Sequence, residues 1–140
     1  MVNPVGPFNA FDTFLHLGPD GTSVPLEVNE SFWQDLATGG FAHLGPGRLV
    51  STYDFSEDWT SWEQHPAGEE VVVLISGALE FVLEMGDAER KVTLDQPGHF
   101  LLVPRGIWHT ANVTQKAKVL FITPGEGTGH RPRQEVTHGA

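Results

Sequence analysis

Trp62-Glu63-Gln64-His65-Pro66-Ala67-Gly68-Glu69-Glu70, running on into Val71-Val72-Val73-Leu74-Ile75, is the stretch whose pattern sets the architecture. In an extended strand, side chains two apart share a face. Glu63 and His65 therefore point the same way, roughly 6.6–7 Å apart at their backbones. Side chains of that length converge on one ion with bonds of ~2.0–2.2 Å. Pro66 to Gly68 reads as a turn. The chain then re-enters a strand at Glu70, which has the parity of Val72 and Leu74, while Glu69 goes with Val71 and Val73. With Val72 and Leu74 facing the interior, Glu70 is a buried carboxylate and Glu69 a solvated rim charge. A buried carboxylate needs a partner, and a metal is one such partner.

A second segment, Pro104-Arg105-Gly106-Ile107-Trp108-His109, presents a histidine three residues past a tight turn. Ile107 and Ala111 are its apolar neighbours on the same face. Between and around these segments the pattern has period two. Leu49, Ser51, Tyr53 and Phe55 alternate, as do Leu79, Phe81, Leu83 and Met85, with Glu80 and Glu84 on the other side. Ser76-Gly77 reads as a turn that makes a hairpin of 71–75 and 78–85. Gly86-Asp87, Gln96-Pro97-Gly98 and Pro104-Arg105-Gly106 punctuate further strands at 90–94, 100–103 and 107–113, with a last one at 117–123. Phe81, Leu83, Phe100 and Leu102 read as core or pocket wall, and Trp59, Trp62 and Trp108 as outer-face packing.

Working outward, Pro19-Asp20-Gly21 separates short strands near 13–17 and 23–28. One short helix is expected at about 30–38, capped by Asn29 or Ser31 and ended by Gly39. The first dozen residues read as an arm whose Phe8, Phe11 and Phe14 dock on a partner subunit or cap the domain's own core. The tail is rich in Gly, Pro and charge. It either stays mobile or folds over the mouth and offers His130 or Arg131 to an anionic substrate. The division is thus an N-terminal arm with short strands and a helix at 1–47, a barrel at 48–123 and an irregular tail at 124–140. Many short strands with turns every 8–12 residues argue an all-β sandwich or barrel.

Composition limits the chemistry. The 140 residues suit one domain. A net charge of −10 opposes nucleic acid and anionic membranes as partners. With no cysteine, any metal must be held by His, Asp or Glu. No apolar run approaches membrane-spanning length, and Met1 is not followed by a basic-then-apolar leader, so a cytoplasmic location is expected.

With these residues in place, the chain resembles the cupin superfamily, the small double-stranded β-helix or jelly-roll barrels. The first cupin motif is His, one residue, His, three or four residues, Glu, six residues, Gly. Here it is Glu63, one residue, His65, four residues, Glu70, six residues, Gly77. The second motif is Gly, five residues, Pro, one residue, Gly, two residues, His, three residues, Asn. Here it is Gly98, five residues, Pro104, Arg105, Gly106, two residues, His109. There are two departures: Glu63 stands where the first His belongs, and Asn112 is one residue early. The resemblance therefore implies a metal role for His65, Glu70 and His109. Glu63 rests on its own chemistry, as a fourth ligand or as a base just outside the ion.

If all four residues bind, two carboxylates neutralise a divalent ion. If Glu63 stands back, the 2-His-1-carboxylate set resembles that of non-haem Fe(II) oxygenases, with open positions for dioxygen and substrate. Nitrogen and oxygen donors suit Fe, Mn, Ni or Zn. Three functions follow as expectations. One is a metal-dependent enzyme, an oxygenase-type cupin acting on a small organic molecule, with a dioxygenase or isomerase as its forms. The second is a non-catalytic module that binds or senses a metabolite or metal. The third is a structural remnant without metal. A homodimer is implied by family analogy, with an exposed strand edge and the aromatic arm as its physical means.

Overall fold

The computed structural model describes residues 5–134. In chain order the strands are β1 (Thr13–Leu17), β2 (Ser23–Glu27), β3 (Arg48–Phe55), β4 (Ser61–Gln64), β5 (Glu70–Met85), β6 (Ala88–Leu94), β7 (Phe100–Val103), β8 (His109–Thr123) and β9 (Gly129–Pro132). A six-residue helix, α1 (Phe32–Ala37), and a 3-10 turn (Ala42–Leu44) lie between β2 and β3. The fold is an all-β jelly-roll barrel with one short N-terminal helix. No helix among the described residues is long and apolar enough to cross a membrane.

β8 organises the sheet. Its second half pairs antiparallel with β3 on one side (Thr52↔Leu120) and with the start of β5 on the other (Val72↔Phe121). Its first residue pairs with β4 (Glu63↔His109) and with the far half of β5 (Leu83↔His109). β6 and β7 complete the β5 side, and β1 with β2 extends the β3 side. Inward positions fill the barrel: Val72, Leu74, Leu79, Phe81, Leu83, Val103, Ala111, Val119 and Phe121 are buried together. Each large apolar side chain there contributes roughly 1.5–3 kcal/mol. A second cluster joins Phe14, Leu26 and Phe32, with the Phe14 and Phe32 rings edge to face at 5.3 Å. α1 is too short to persist alone, and burial of Phe32 holds it in place.

Several expectations need correction. Ser76-Gly77 is not a hairpin turn: β5 runs unbroken for 16 residues, and the register shifts between Leu74 and Leu79. Gly77 has φ +85°, and a Cβ there would lie 2.0 Å from the Lys116 carbonyl. It is a bulge glycine that bends the strand around the barrel. The expected strands at 107–113 and 117–123 are likewise one, β8. Phe100 and Leu102 point outward, while Leu101 and Val103 are buried. Trp59 packs inward against Phe81 and Phe121, with ring centroids at 5.6 and 6.2 Å. Phe14 is core, whereas Phe8 and Phe11 stay exposed. The tail, expected to be irregular, contains β9, which pairs with the free edge of β4 (Trp62↔Arg131, Glu63↔His130). His138, which has no ligand-like spacing in the sequence, lies outside the described residues.

Candidate metal centre

The two motifs are tied together through the backbone. Glu70 is in register with Val103, just before the Pro104-Arg105-Gly106 turn. The Gly106 amide donates to the His65 carbonyl at 3.0 Å. The chain reverses there and delivers His109 opposite Glu63. Cross-strand partners share a face, so His130, Glu63 and His109 form one row across β9, β4 and β8.

His65, Glu70 and His109 are buried. The Glu70 carboxylate sits between the two imidazoles, with Oε2 3.2 Å from His65 Nε2 and Oε1 3.2 Å from His109 Nε2. These contacts lie off the hydrogen-bond direction: both Nε2 atoms and Glu70 Oε1 are buried without a hydrogen-bond partner. The other ring nitrogens explain why. His109 Nδ1 is 3.0 Å from the Ile107 carbonyl, which only accepts, so Nδ1 carries the proton. His65 Nδ1 is 2.8 Å from Thr128 Oγ1, whose own hydrogen goes to the Gly125 carbonyl at 2.8 Å. The Thr128 oxygen accepts, and His65 is also protonated on Nδ1. Both Nε2 lone pairs then face a carboxylate that is itself oriented by a 2.6 Å hydrogen bond from Thr123 Oγ1.

Three lone-pair donors facing one another in a dry pocket repel unless a cation stands among them. Leaving each unsatisfied costs about 1–3 kcal/mol. Two donors bound to one ion at ~2.0–2.2 Å, at ~90–110° to each other, lie ~3 to 3.5 Å apart, and the observed separations are 3.2 Å. Nδ1 held by a carbonyl or hydroxyl with Nε2 aimed inward is the orientation that ligating histidines adopt. The residues present fit a divalent metal.

Glu63 makes a second, overlapping set: ligand atoms of Glu63, His65 and His109 lie within 4.8 Å of one another, a set that does not include Glu70. Glu63 differs from the trio in being partly exposed and in contacting His130 Nε2 through Oε2 at 3.2 Å. Charge reflects the crowding. Burial alone pushes the Glu70 carboxyl up, but when a proton rather than a metal stands between them the His109 and His65 imidazoles outweigh it and hold the group at about 2. Burial pulls His109 down, yet Glu70 and the Ile107 carbonyl leave it raised. Burial, reinforced by Glu63 and Glu70, raises the Tyr53 hydroxyl, which therefore stays a neutral donor.

The structure thus brings Glu63, His65, Glu70 and His109 together. It adds Thr123, Thr128 and the Ile107 carbonyl, which sequence reasoning missed. Thr128 and His130 share strand parity, but only the β4–β9 pairing shows which way they face. Arg131 turns the opposite way, between the Trp62 and Trp108 rings (5.0 and 4.7 Å) and onto Glu84. It is therefore not offered to a substrate. His99 is exposed, 3.5 Å from Asp95.

The site opens into a cavity of about 1370 Å³ between the barrel mouth and the N-terminal elements, walled by Trp33, Tyr53, Phe55, Trp59 and Phe121.

Among solved structures, the chain is similar to a cupin-2 domain protein from Shewanella frigidimarina (19% identity, 61% of this chain and 71% of that one, TM-score 0.45). It is also similar to hydroxypropylphosphonic acid epoxidase from S. wedmorenis (16%, 54% and 43%, TM-score 0.47). A third is hydroquinone 1,2-dioxygenase from Sphingomonas sp. TTNP3 (18%, 56% and 60%, TM-score 0.48). The chain thus spans less than half the length of the epoxidase and three fifths of the dioxygenase. No curated protein matches it. The family described as FdtA, WxcM-like, C-terminal, matches residues 50–125, the segment that carries both motifs and the strands beside them, and the chain belongs to that family.

Proposed function

We propose that the protein is a metal-dependent, oxygenase-type cupin enzyme that acts on a small organic molecule, with His65, Glu70 and His109 holding a divalent ion. The supporting observation is the trio of buried, partnerless donor atoms whose tautomers leave both Nε2 lone pairs facing Glu70. When bound, such an ion supplies Lewis acidity toward substrate oxygens and, if redox-active, reactivity toward dioxygen. The chain's own residues do the rest. Thr128 and the Ile107 carbonyl fix the imidazoles, and Thr123 fixes Glu70. The aromatic wall excludes water from the substrate. Glu63, partly exposed and already engaged by His130, accepts the substrate proton.

The 4.8 Å grouping with His65 and His109 favours a second reading, in which Glu63 is a fourth ligand. Elemental analysis of untagged protein and of Glu63→Gln separates the two. Unchanged metal content with loss of turnover supports the base, and metal loss matching that of His65→Ala supports the ligand. Protein that carries no metal and takes up none contradicts both. A loaded site that binds metabolites without turnover would indicate the sensing module.

The chain also pairs with a second copy through the outer face of β7. Phe100 and Leu102 are more than half exposed there, next to Val73 and Val71 across the strand pair. Phe100→Asp should convert a dimer to a monomer in sedimentation velocity. Wild-type protein that sediments as a monomer contradicts the pairing.

A further inference from the structure

We infer that Arg131 is a positioning residue for the site: from the opposite face of the sheet it fixes β9, and with β9 the turn that holds Thr128 on His65. The inference takes the functional weight of His65 from the reading proposed above, and everything else from the way β9 is attached.

Two rows of side chains stand back to back. The inner row is His130, Glu63 and His109, in register across β9, β4 and β8. Next to each in the chain, and turned the other way, are Arg131, Trp62 and Trp108. This outer row is in contact. The Arg131 guanidinium carbon lies 5.0 Å from the centroid of the Trp62 ring and 4.7 Å from that of Trp108, and its nitrogens reach the Glu84 carboxylate. Glu84 is tied to the same row through its backbone, its amide donating to the Trp108 carbonyl at 2.9 Å. A guanidinium can do all this at once, because it is planar enough to lie against indoles and still fork onto a carboxylate. One side chain of β9 therefore joins β4, the approach to β8 and β5.

β9 depends on that joint. Among the described residues β4 is its only strand partner, and Gly-His-Arg-Pro carries no β-branched residue. Its inner face offers His130, which is 60% exposed. Arg133 anchors the far end, through the Trp59 and Ala111 carbonyls. Arg131 is the anchor that stands between that end and Thr128. Gly129 serves the same arrangement: a Cβ there would lie 2.9 Å from Gln64 Nε2 and 3.4 Å from Trp108 Cη2. Its bare backbone lets the Trp108 indole come close beside β9 and meet Arg131, two residues on and on the same face. Thr128 directly precedes Gly129, and its Oγ1 accepts from His65 Nδ1 at 2.8 Å. His109 supplies the internal control, since its Nδ1 proton goes to the Ile107 carbonyl and not to any group of β9 or its turn.

The test measures solvent exchange of the His65 and His109 Nδ1 protons by 1H–15N NMR, in the full chain freed of metal by chelation. Arg131→Ala should speed exchange at His65 about tenfold and leave His109 within about twofold of wild type. Arg131→Lys, which keeps a cation between the indoles, should return His65 to within about threefold. Glu84→Gln, which breaks only the ion pair, should give a smaller acceleration at His65 and keeps the test open if Arg131→Ala does not fold. Thr128→Val should match Arg131→Ala at His65, and the double variant should exceed either by less than about twofold, as two changes on one route do. Unchanged His65 exchange in Arg131→Ala and Glu84→Gln, equal acceleration of both histidines, or effects of Arg131→Ala and Thr128→Val that multiply would overturn the inference. A chain that takes up no metal but shows the selective His65 effect defeats the metal reading alone. One that takes up metal without that effect defeats this inference alone.

Discussion

The side chains of His65, Glu70 and His109 are 4%, 4% and 0% exposed, whereas Glu63 and His130, in the same cross-strand row, keep 27% and 60% in contact with solvent. The inner group has its second ring nitrogens and its carboxylate fixed by Thr128, Ile107 and Thr123. Among the described residues, the outer pair has only its mutual 3.2 Å hydrogen-bond contact. Buried donors without partners cost stability unless something binds them, while exposed ones are satisfied by water. The inner group is therefore built to hold, and the outer pair to exchange. Substitutions in the two regions should separate accordingly.

The largest effect is expected at His109. His109→Ala removes the fully buried imidazole and leaves Glu70 short of a partner. In the metal-free protein, urea denaturation should show a loss of about 3–5 kcal/mol. Glu63→Gln, in the outer region, should stay within about 0.5 kcal/mol of wild type. Similar losses for the two would erase the distinction between the regions.

The next effect is on pH. Glu70 is held at about 2, against an ordinary carboxyl value of 4.5. Its folded value lies below its unfolded one, so its contribution is fully present above about 4.5 and is lost as pH falls toward 2. The size is on the order of 3 kcal/mol. His109 runs the other way. Its folded value is raised above 6.5, so its contribution is complete below that pH and disappears as pH rises through the folded value. Denaturation of the metal-free protein across pH 2–9 should therefore show a stability maximum between the two limbs. Glu70→Gln should remove the acid limb.

The smallest effect is at Thr128, which the turn leading into β9 contributes to the inner group. Thr128→Val keeps the shape and removes the oxygen that accepts from His65 Nδ1. Calorimetric metal titration should give about tenfold weaker binding, and Thr128→Ser should restore it. A Val variant that binds as tightly as wild type would detach the 125–128 turn from the centre.

These contrasts also show what a sequence can carry. Glu63, His65, Glu70 and His109 could be placed together because their spacings around two tight turns are local, and because Glu70 shares parity with Val72 and Leu74. Ser76-Gly77 misled because a bulge glycine and a turn glycine have the same local composition. Only the Lys116 carbonyl from β8 distinguishes them. Phe100 to Val103 is uniformly apolar, so no alternation marks Leu101 and Val103, rather than Phe100 and Leu102, as its inner face. Trp59 stands outside both motifs, and nothing nearby in sequence shows that it turns inward. β9 is Gly-His-Arg-Pro, weak in strand preference. Its order comes from the β4 edge, from Arg131 held between two indoles, and from Arg133 reaching the Trp59 and Ala111 carbonyls. All of these contacts are distant in sequence.

The central claim, that the inner trio is a metal centre, is tested most directly by calorimetric titration of chelator-treated protein with Fe(II), Mn(II), Ni(II) and Zn(II), alongside His109→Ala. The account predicts uptake of a single ion per chain by wild type and at least a hundredfold loss in the variant. Wild-type protein that binds none of the four, or His109→Ala protein that binds as tightly as wild type, would contradict it.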